Sequence, residues 1–323
     1  MVVLQNMQKN KDDILNKYKG CLIGLALGDV LGVPFEFWKK ENVAKYLDSH
    51  ELETKYFSYG DINFPAGFYS DDTAMTICLA KSLIEKGFNL DDQFERYQKW
   101  YLFGYATPFD DRSYGIGQQT LKALSRKIDF KKMNGMDERA GGNGSLMRCA
   151  PIGLYYHGYT QEIKDNSLLA SYITHDYHIS GWTCIILNTI LSFIIDGYDK
   201  KQIFSEIKDL YKDTAPNEII KIFEIDYNSM KEFNHNISGY SVDTLKIALW
   251  SWLTSENYLE SIKKVILLGD DADTFGAVTG AITGCYWGYD LIPAEYKLPI
   301  IKHDYIVNLA EKLHEKSSQI KGN

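Results

Sequence analysis

Gly20-Cys-Leu-Ile-Gly24-Leu-Ala-Leu-Gly28-Asp-Val-Leu-Gly32 decides how the fold is read. Apolar residues fill the stretch and glycine recurs at every fourth position, so the four glycines share one face of a helix. A glycine inside a helix costs up to about 1 kcal/mol relative to alanine. Four of them make sense where a second backbone must come close. Gly276, Gly280, Gly284 and Gly288 repeat the spacing late in the chain. Both stretches are therefore expected to be central, closely packed helices. Packing against each other would bring their acid-bearing ends together. A membrane reading of the repeat is disfavoured, because Lys19 and Asp29 interrupt the first helix.

Outward from these two segments, most of the chain keeps a 3.6-residue period. Further helices are expected over 72–86, 91–103, 115–124, 161–173, 181–195, 200–210, 217–223, 242–253, 259–267 and 304–316. The first glycine helix is expected over 12–31 and the second over 274–288. The seven prolines fall between these segments. No convincing alternating strand and no Ser/Gly/Pro-rich linker occurs. The expectation is a single all-α domain over 1–323, with short frayed tails at 1–11 and 317–323.

With 35 basic against 43 acidic residues the net charge is −8, without a basic cluster. That balance disfavours nucleic-acid and anionic-membrane partners. No signal peptide is read at the N-terminus, and the most apolar run, 183–195, reads as a buried helix too short to span a bilayer. Five scattered cysteines without a CxxC pair fit free buried thiols in a reducing, cytoplasmic setting rather than structural zinc or a disulfide framework. A monomer is the expected state.

The acids cluster in two places. Ser70-Asp71-Asp72-Thr73 opens the helix expected from Asp72; alone, the segment is best read as an N-cap. Gly269-Asp270-Asp271-Ala272-Asp273-Thr274 carries more acid than capping needs. Oxygen donors without His or Cys suit Mg²⁺, Mn²⁺ or Ca²⁺. An EF-hand fails, because Phe275 and Ile282 stand where it needs oxygen ligands. A phosphatase DxDxT motif fails too, since threonine follows the second aspartate directly. Two such clusters, each opening a helix, favour a cation site over capping.

Gly141-Gly142-Asn143-Gly144-Ser145, followed by Leu146-Met147-Arg148, is a candidate anion loop. Its small residues expose backbone N–H groups, and a following helix would add its positive end. Arg148 could pair with a phosphate or an acid. Ser113-Tyr114-Gly115-Ile116-Gly117 is a weaker loop of the same kind. Glu36 sits among Val33, Phe35, Phe37 and Trp38, where desolvation would raise its pKa toward acid/base use. His175 and His178 are disfavoured as metal ligands. No GxSxG occurs, which speaks against a serine hydrolase.

These segments, in this order, resemble the ADP-ribosylglycohydrolase family, which includes the dinitrogen reductase-activating glycohydrolases. The matching stretches are Gly20 to Glu36, Ser70-Asp-Asp-Thr73, Gly142-Asn-Gly-Ser-Leu-Met-Arg148, Thr174-His175 and Gly269-Asp-Asp-Ala-Asp-Thr-Phe-Gly276. The resemblance implies a compact, orthogonal all-α bundle with a binuclear Mg²⁺ or Mn²⁺ centre. Its metal ligands would fall on Ser70, Asp71, Asp72, Asp271, Asp273 and Thr274. The loop holding ADP-ribose would be Gly142, Asn143, Gly144 and Ser145, with His175 nearby and Gly115 and Gly117 as further substrate-binding positions. Glu36, Asp71 and Asp273 are the candidate catalytic groups, Glu36 as a gate or acid/base. The implied reaction is metal-dependent hydrolysis of the glycosidic bond to ADP-ribose, from a modified protein side chain or a small conjugate. The alternatives are a non-catalytic ADP-ribose-binding or structural member and a metal-dependent phosphoester or anhydride hydrolase. Three positions depart from the family pattern: Ser70 for a common threonine, Asp270 for a common glycine, and Gly115 for an aspartate that some arginine-specific members use. The last change counts against arginine-linked substrates.

Overall fold

The computed structural model describes residues 2–54, 57–59, 62–126 and 129–321. Helices dominate: α1 (Val2–Gly32), α2 (Lys40–Leu47), α3 (Asp71–Lys86), α4 (Leu90–Phe103), α5 (Gln118–Leu124), α6 (Ala150–Tyr155), α7 (Thr160–Tyr172) and α8 (His178–Ile195). They continue as α9 (Lys200–Tyr211), α10 (Asn217–Ile220), α11 (Ser241–Thr254), α12 (Tyr258–Ile266), α13 (Ala272–Trp287), α14 (Ala294–Lys297) and α15 (His303–Lys321). Among the described residues the one sheet is a pair of three-residue antiparallel strands, β1 (Phe57–Tyr59) and β2 (Ile62–Phe64), with Phe57 opposite Phe64. The fold is all-α, as expected.

The two glycine helices do pack on each other, and antiparallel. A Cβ added at Gly20, Gly24, Gly28 or Gly32 would fall within 3.0 Å of backbone at Gly284, Gly280, Gly276 or Ala272 respectively. The four rungs run in opposite senses along the two chains, so the C-terminal end of α1 meets the N-terminal end of α13. Only glycine permits this approach, and α1 makes its most extensive interface there. Tyr258 of α12 adds a hydrogen bond from its hydroxyl to the Gly24 carbonyl, at 2.7 Å. Around this seam α8 packs against α6, α7, α11 and α13.

Several expectations need correction. The helix expected over 115–124 begins only at Gln118, because Gly115 takes a φ of +78° and its neighbours form a loop. α6 was missed because all six of its residues are buried, which leaves no amphipathic period to read. α2 and α14 are short, with one buried residue each. Strands of three residues are too brief to alternate visibly. Helical backbone runs through 2–11 and 317–321, which leaves the expectation of frayed tails untested; Met1, Gly322 and Asn323 lie outside the described residues. The apolar run at 183–195 belongs to an 18-residue helix that is long enough to cross a membrane, as is 11–35. Inside the protein 89% and 83% of these two stretches is buried, so their apolar surface is spent on the core.

Candidate active site

The antiparallel seam delivers Asp29, near the end of α1, to the starts of α3 and α13. Asp29 is fully buried, and its carboxylate accepts from Ser70 N (2.9 and 3.1 Å), Thr73 N (3.0 Å) and Thr73 Oγ1 (2.6 Å). Free N–H groups at a helix start need such an acceptor. Asp29 supplies it from another helix, and the side chain of Ser70, the N-cap residue, makes no capping bond. Taken alone, Ser70-Asp71-Asp72 reads as a capping segment. The structure assigns that work to Asp29 and leaves Asp71 and Asp72 free for other work.

Carboxylate oxygens of Asp29, Asp72 and Asp273 lie within 4.8 Å of one another, all buried. Ser70 Oγ donates to Asp72 Oδ2 at 3.0 Å, whereas Asp72 Oδ1 is buried with no hydrogen-bond partner among the described residues. Asp273 Oδ1 accepts from Thr274 N at 2.9 Å, and Asp271 Oδ2 accepts from Asn143 Nδ2 at 2.7 Å. Burial pushes Asp71, Asp72 and Asp273 well above the usual carboxylate range, and repulsion from neighbouring acids, Asp29 and Asp271 in all three cases, adds to it. Asp29 is raised to about 6 by burial, against the pull of its four hydrogen bonds. Among the described residues no lysine or arginine lines the adjoining cleft. An orphaned buried oxygen in an all-oxygen cluster without a cationic side chain fits a hard divalent cation.

The cleft has a volume of about 510 Å³, within the usual range for a small-molecule site. Asp71, Asp271, Asp273, Thr274 and Glu36 line it. α1 ends at Gly32 and a 3₁₀ turn, Val33–Phe35, carries the chain to Glu36. Phe37 N then donates to Asp270 O at 2.6 Å, and Asp270 N to Trp38 O at 2.8 Å. This clamp fixes Glu36 over the start of α13 and holds Phe37 and Asp270 at φ of 62° and 55°. Asp270 thus adopts the left-handed conformation that a glycine takes most easily. Glu36 is half-buried and pushed up to about 7, by burial first and then by Asp271 and Asp29.

Opposite the acids stands the glycine loop. Asn143 N donates to Gly239 O at 2.9 Å and Ser241 N to Gly141 O at 3.0 Å, which pins the loop to the start of α11. Gly142, Asn143, Gly144 and His175 line the cleft, as do Gly115 and Gly117. The Ser145 hydroxyl faces the core instead, accepting from Ser171 Oγ at 2.8 Å. No helix N-terminus backs the loop: turns follow it, and α6 starts only at Ala150. The anion-binding capacity expected from a following helix must come from the loop itself. His175 is buried and held neutral, its pKa lowered to about 3 by burial and by Arg148. His178 lies apart, its Nδ1 3.1 Å from Gly135 O. Among the described residues Arg148 pairs with no acid; it donates to the Gly144 carbonyl and to Thr174 Oγ1. A Cβ at Gly115 would sit 2.5 Å from Asp71 Oδ1, so the position lies beside the acid cluster.

Sequence reasoning missed Asp29 as part of the site. Its signal was present: a single acid in a glycine-rich apolar helix has to be buried, and a buried acid needs partners.

The site is thus a cleft with acids and a glycine loop among its lining, carried on loops between the helices of an all-α fold. A family profile described as ADP-ribosylglycohydrolase matches residues 10–322. The chain belongs to that family and is a hydrolase acting on glycosyl bonds. It is 30% identical over 307 residues to "ADP-ribosylarginine hydrolase Tri1" of Serratia proteamaculans (strain 568), covering 94% of this chain and 80% of that one. "ADP-ribosyl-[dinitrogen reductase] glycohydrolase" of Rhodospirillum rubrum is 26% identical, covering 85% and 87%. Human "ADP-ribosylhydrolase ARH3" is 25% identical, covering 93% of each. A solved structure, "ADP-ribosylglycohydrolase-related protein complex", superposes with a TM-score of 0.77 at 28% identity, covering 95% of this chain and 99% of that one.

Proposed function

We propose that this chain releases ADP-ribose from a modified protein side chain or a small conjugate, with two divalent cations, Mg²⁺ or Mn²⁺, in the acid cluster. The observation that carries the reading is Asp72 Oδ1, buried and unpartnered in an all-oxygen cluster beside the cleft. Ser70, Asp71, Asp72, Asp271, Asp273 and Thr274 would hold the ions, with Asp29 behind them. Bound there, the cations would supply Lewis acidity toward ribose hydroxyls and a water molecule.

The remaining chemistry belongs to the chain's own groups. The Gly142–Gly144 backbone and His175 would cradle the diphosphate, and Asn143 couples that loop to Asp271. Gly115 and Gly117 keep the facing wall free of side chains, so that the sugar can approach Asp71. As the bond to the leaving group stretches, positive charge develops at the anomeric carbon in an oxocarbenium-like transition state. The cleft carboxylates face that charge. Glu36, raised to about 7, would carry a proton for the leaving atom; Asp71 or Asp273 would take one from the incoming water. A cation among the same aspartates would cancel the like-charge part of the Glu36 shift and leave the part due to burial. The five cysteines are free and buried, which supports a reducing, cytoplasmic setting.

The test is incubation with ADP-ribosylated arginine, ADP-ribosylated serine and O-acetyl-ADP-ribose, each with Mg²⁺, with Mn²⁺ and with chelator. Free ADP-ribose that disappears on chelation is the expected product, and the substrate consumed fastest names the linkage. AMP as the product would instead mean anhydride hydrolysis. Tight ADP-ribose binding without release would mean a non-catalytic binder, and full turnover in chelator would remove the cations from the mechanism.

A further inference from the structure

Behind the glycine loop lies a buried cation with no counter-ion. Arg148 is among the largest fully buried side chains of the protein, and among the described residues no carboxylate pairs with it. Its Nη1 donates to the Gly144 carbonyl, its Nη2 donates to Thr174 Oγ1 at 2.7 Å, and its guanidinium lies 4.6 Å from the centre of the Tyr97 ring. A guanidinium buried without an acid is costly, so an anion close by would be its complement. The charged residues lining the adjoining cleft are acids, with neutral residues between them, and the glycine loop is the stretch of wall that this guanidinium touches, at the Gly144 carbonyl.

Thr174 passes the arrangement on. Its hydroxyl oxygen lies 2.8 Å from His175 Nδ1 and already accepts from Arg148. Thr174 is buried, and among the described residues Nδ1 is the acceptor its hydroxyl meets. Were Nδ1 to carry a hydrogen, Thr174 Oγ1 would stand between two donors with its own hydrogen unpaired. Thr174 must therefore donate to Nδ1, and the neutral ring carries its hydrogen on Nε2. That nitrogen has no partner among the described residues. It lies on the cleft side, against Gly142 and Gly144, where an added Cβ would come within 3.4 and 3.1 Å of it.

On the functional reading above, we infer that Arg148 is a positioning residue. Through Thr174 it holds His175 as an Nε2–H donor aimed at a phosphate oxygen of ADP-ribose, and its own unpaired charge favours the same anion from behind the loop. Arg148 does not touch the ligand. A neutral donor placed in this way contributes a hydrogen bond to a charged group, which is among the stronger kinds.

Two measurements test the relay. Long-range ¹H–¹⁵N NMR of the ligand-free protein, with His175 assigned by its absence in His175→Gln, should show hydrogen on Nε2 at neutral pH. Calorimetry with ADP-ribose and with adenosine then separates anion recognition from the rest of the site. Thr174→Val should lose the Nε2–H signature, weaken ADP-ribose about tenfold or more, and leave adenosine within about twofold. In turnover it should raise KM while kcat stays within about threefold. Thr174→Ser should restore the tautomer and most of the affinity. If Thr174→Val does not fold, as its unfolding midpoint would reveal, Arg148→Lys carries the same test, because one nitrogen then replaces the two that separately serve Gly144 O and Thr174 Oγ1. A wild-type ring protonated on Nδ1, an unchanged tautomer in Thr174→Val, or equal losses for ADP-ribose and adenosine would overturn the inference. A wild-type protein that bound no ADP-ribose would sink the functional reading, while the tautomer measured without ligand still decides the relay.

Discussion

Replacing Gly24 with alanine sets two physical effects against each other, and the structure says which wins. Intrinsic helix propensity favours alanine by about 1 kcal/mol. Packing opposes it: the new Cβ would lie 2.9 Å from Gly284 Cα and closer still to the Gly280 carbonyl. Ordinary van der Waals contact begins near 3.4 Å, so α1 and α13 must separate locally by about 0.5 Å or more. A gap of that size already forfeits roughly a quarter of each affected dispersion contact. Overpacking of this kind costs about 1–3 kcal/mol and occasionally more. The obstacle here is backbone rather than a movable side chain, so the upper end applies. The expected net effect is a destabilisation of about 1–3 kcal/mol, read from urea unfolding followed by circular dichroism and from a lower Tm. Gly24 lies away from the acid cluster, so turnover below the transition should survive. A variant stabilised by about 1 kcal/mol, as propensity alone predicts, would refute the close-packed seam.

Three further outcomes follow from the site. Adding Mg²⁺ or Mn²⁺ should raise Tm by mass action, by an amount equivalent to about 2.7 kcal/mol at a hundredfold excess over Kd; Asp72→Asn should lose most of that increment, and an equal increment in the variant would clear Asp72 of the role. Asp271→Asn should abolish turnover while circular dichroism and the unfolding midpoint stay close to wild type; a fully active variant would sink the metal assignment. Glu36 rises from an ordinary 4.5 to about 7 on folding, so the folded state binds its proton more tightly than the unfolded one. The contribution to stability is thus present below pH 4.5 and is lost as pH rises through about 7. In chelator, Tm should fall between those values and Glu36→Gln should flatten the slope; a Tm that rises over the window contradicts the burial of this carboxyl.

The sequence disclosed elements whose periodicity or spacing is set by their surroundings. The glycines at every fourth position in α1 and α13 are such a case, because one face of each helix must admit another backbone. The paired acids at 70–73 and 269–274 are another, since their density exceeds any capping need. What stayed hidden is of a different kind. α6 is buried on all sides and shows no pattern. Ser145 has the composition of a loop ligand, but its side chain turns into the core toward Ser171, a direction no spacing reveals. Arg148 looked like a partner for a phosphate or an acid, and its place behind the loop depends on Thr174, 26 residues away. The role of Asp29 needed the tertiary pairing of α1 with α3.

That pairing explains why the acids are available at all. A helix that begins Ser-Asp-Asp-Thr would ordinarily use its own first residues as caps, which draws their oxygens toward the backbone. Here Asp29 reaches across from α1 and satisfies the N–H groups of Ser70 and Thr73 together with the Thr73 hydroxyl. Asp72 can then present an unpaired oxygen, and Asp71 can face the cleft. Asp29 reaches that point because four glycine rungs fix the longitudinal register of α1 against α13. A slip of one rung would move Asp29 by about 6 Å along the seam, four residues at 1.5 Å each, and separate it from both Asp72 and Asp273. The glycines thus set the geometry of the site as well as the closeness of the core. Their cost in helix propensity is a condition for bringing three carboxylates within 4.8 Å of one another.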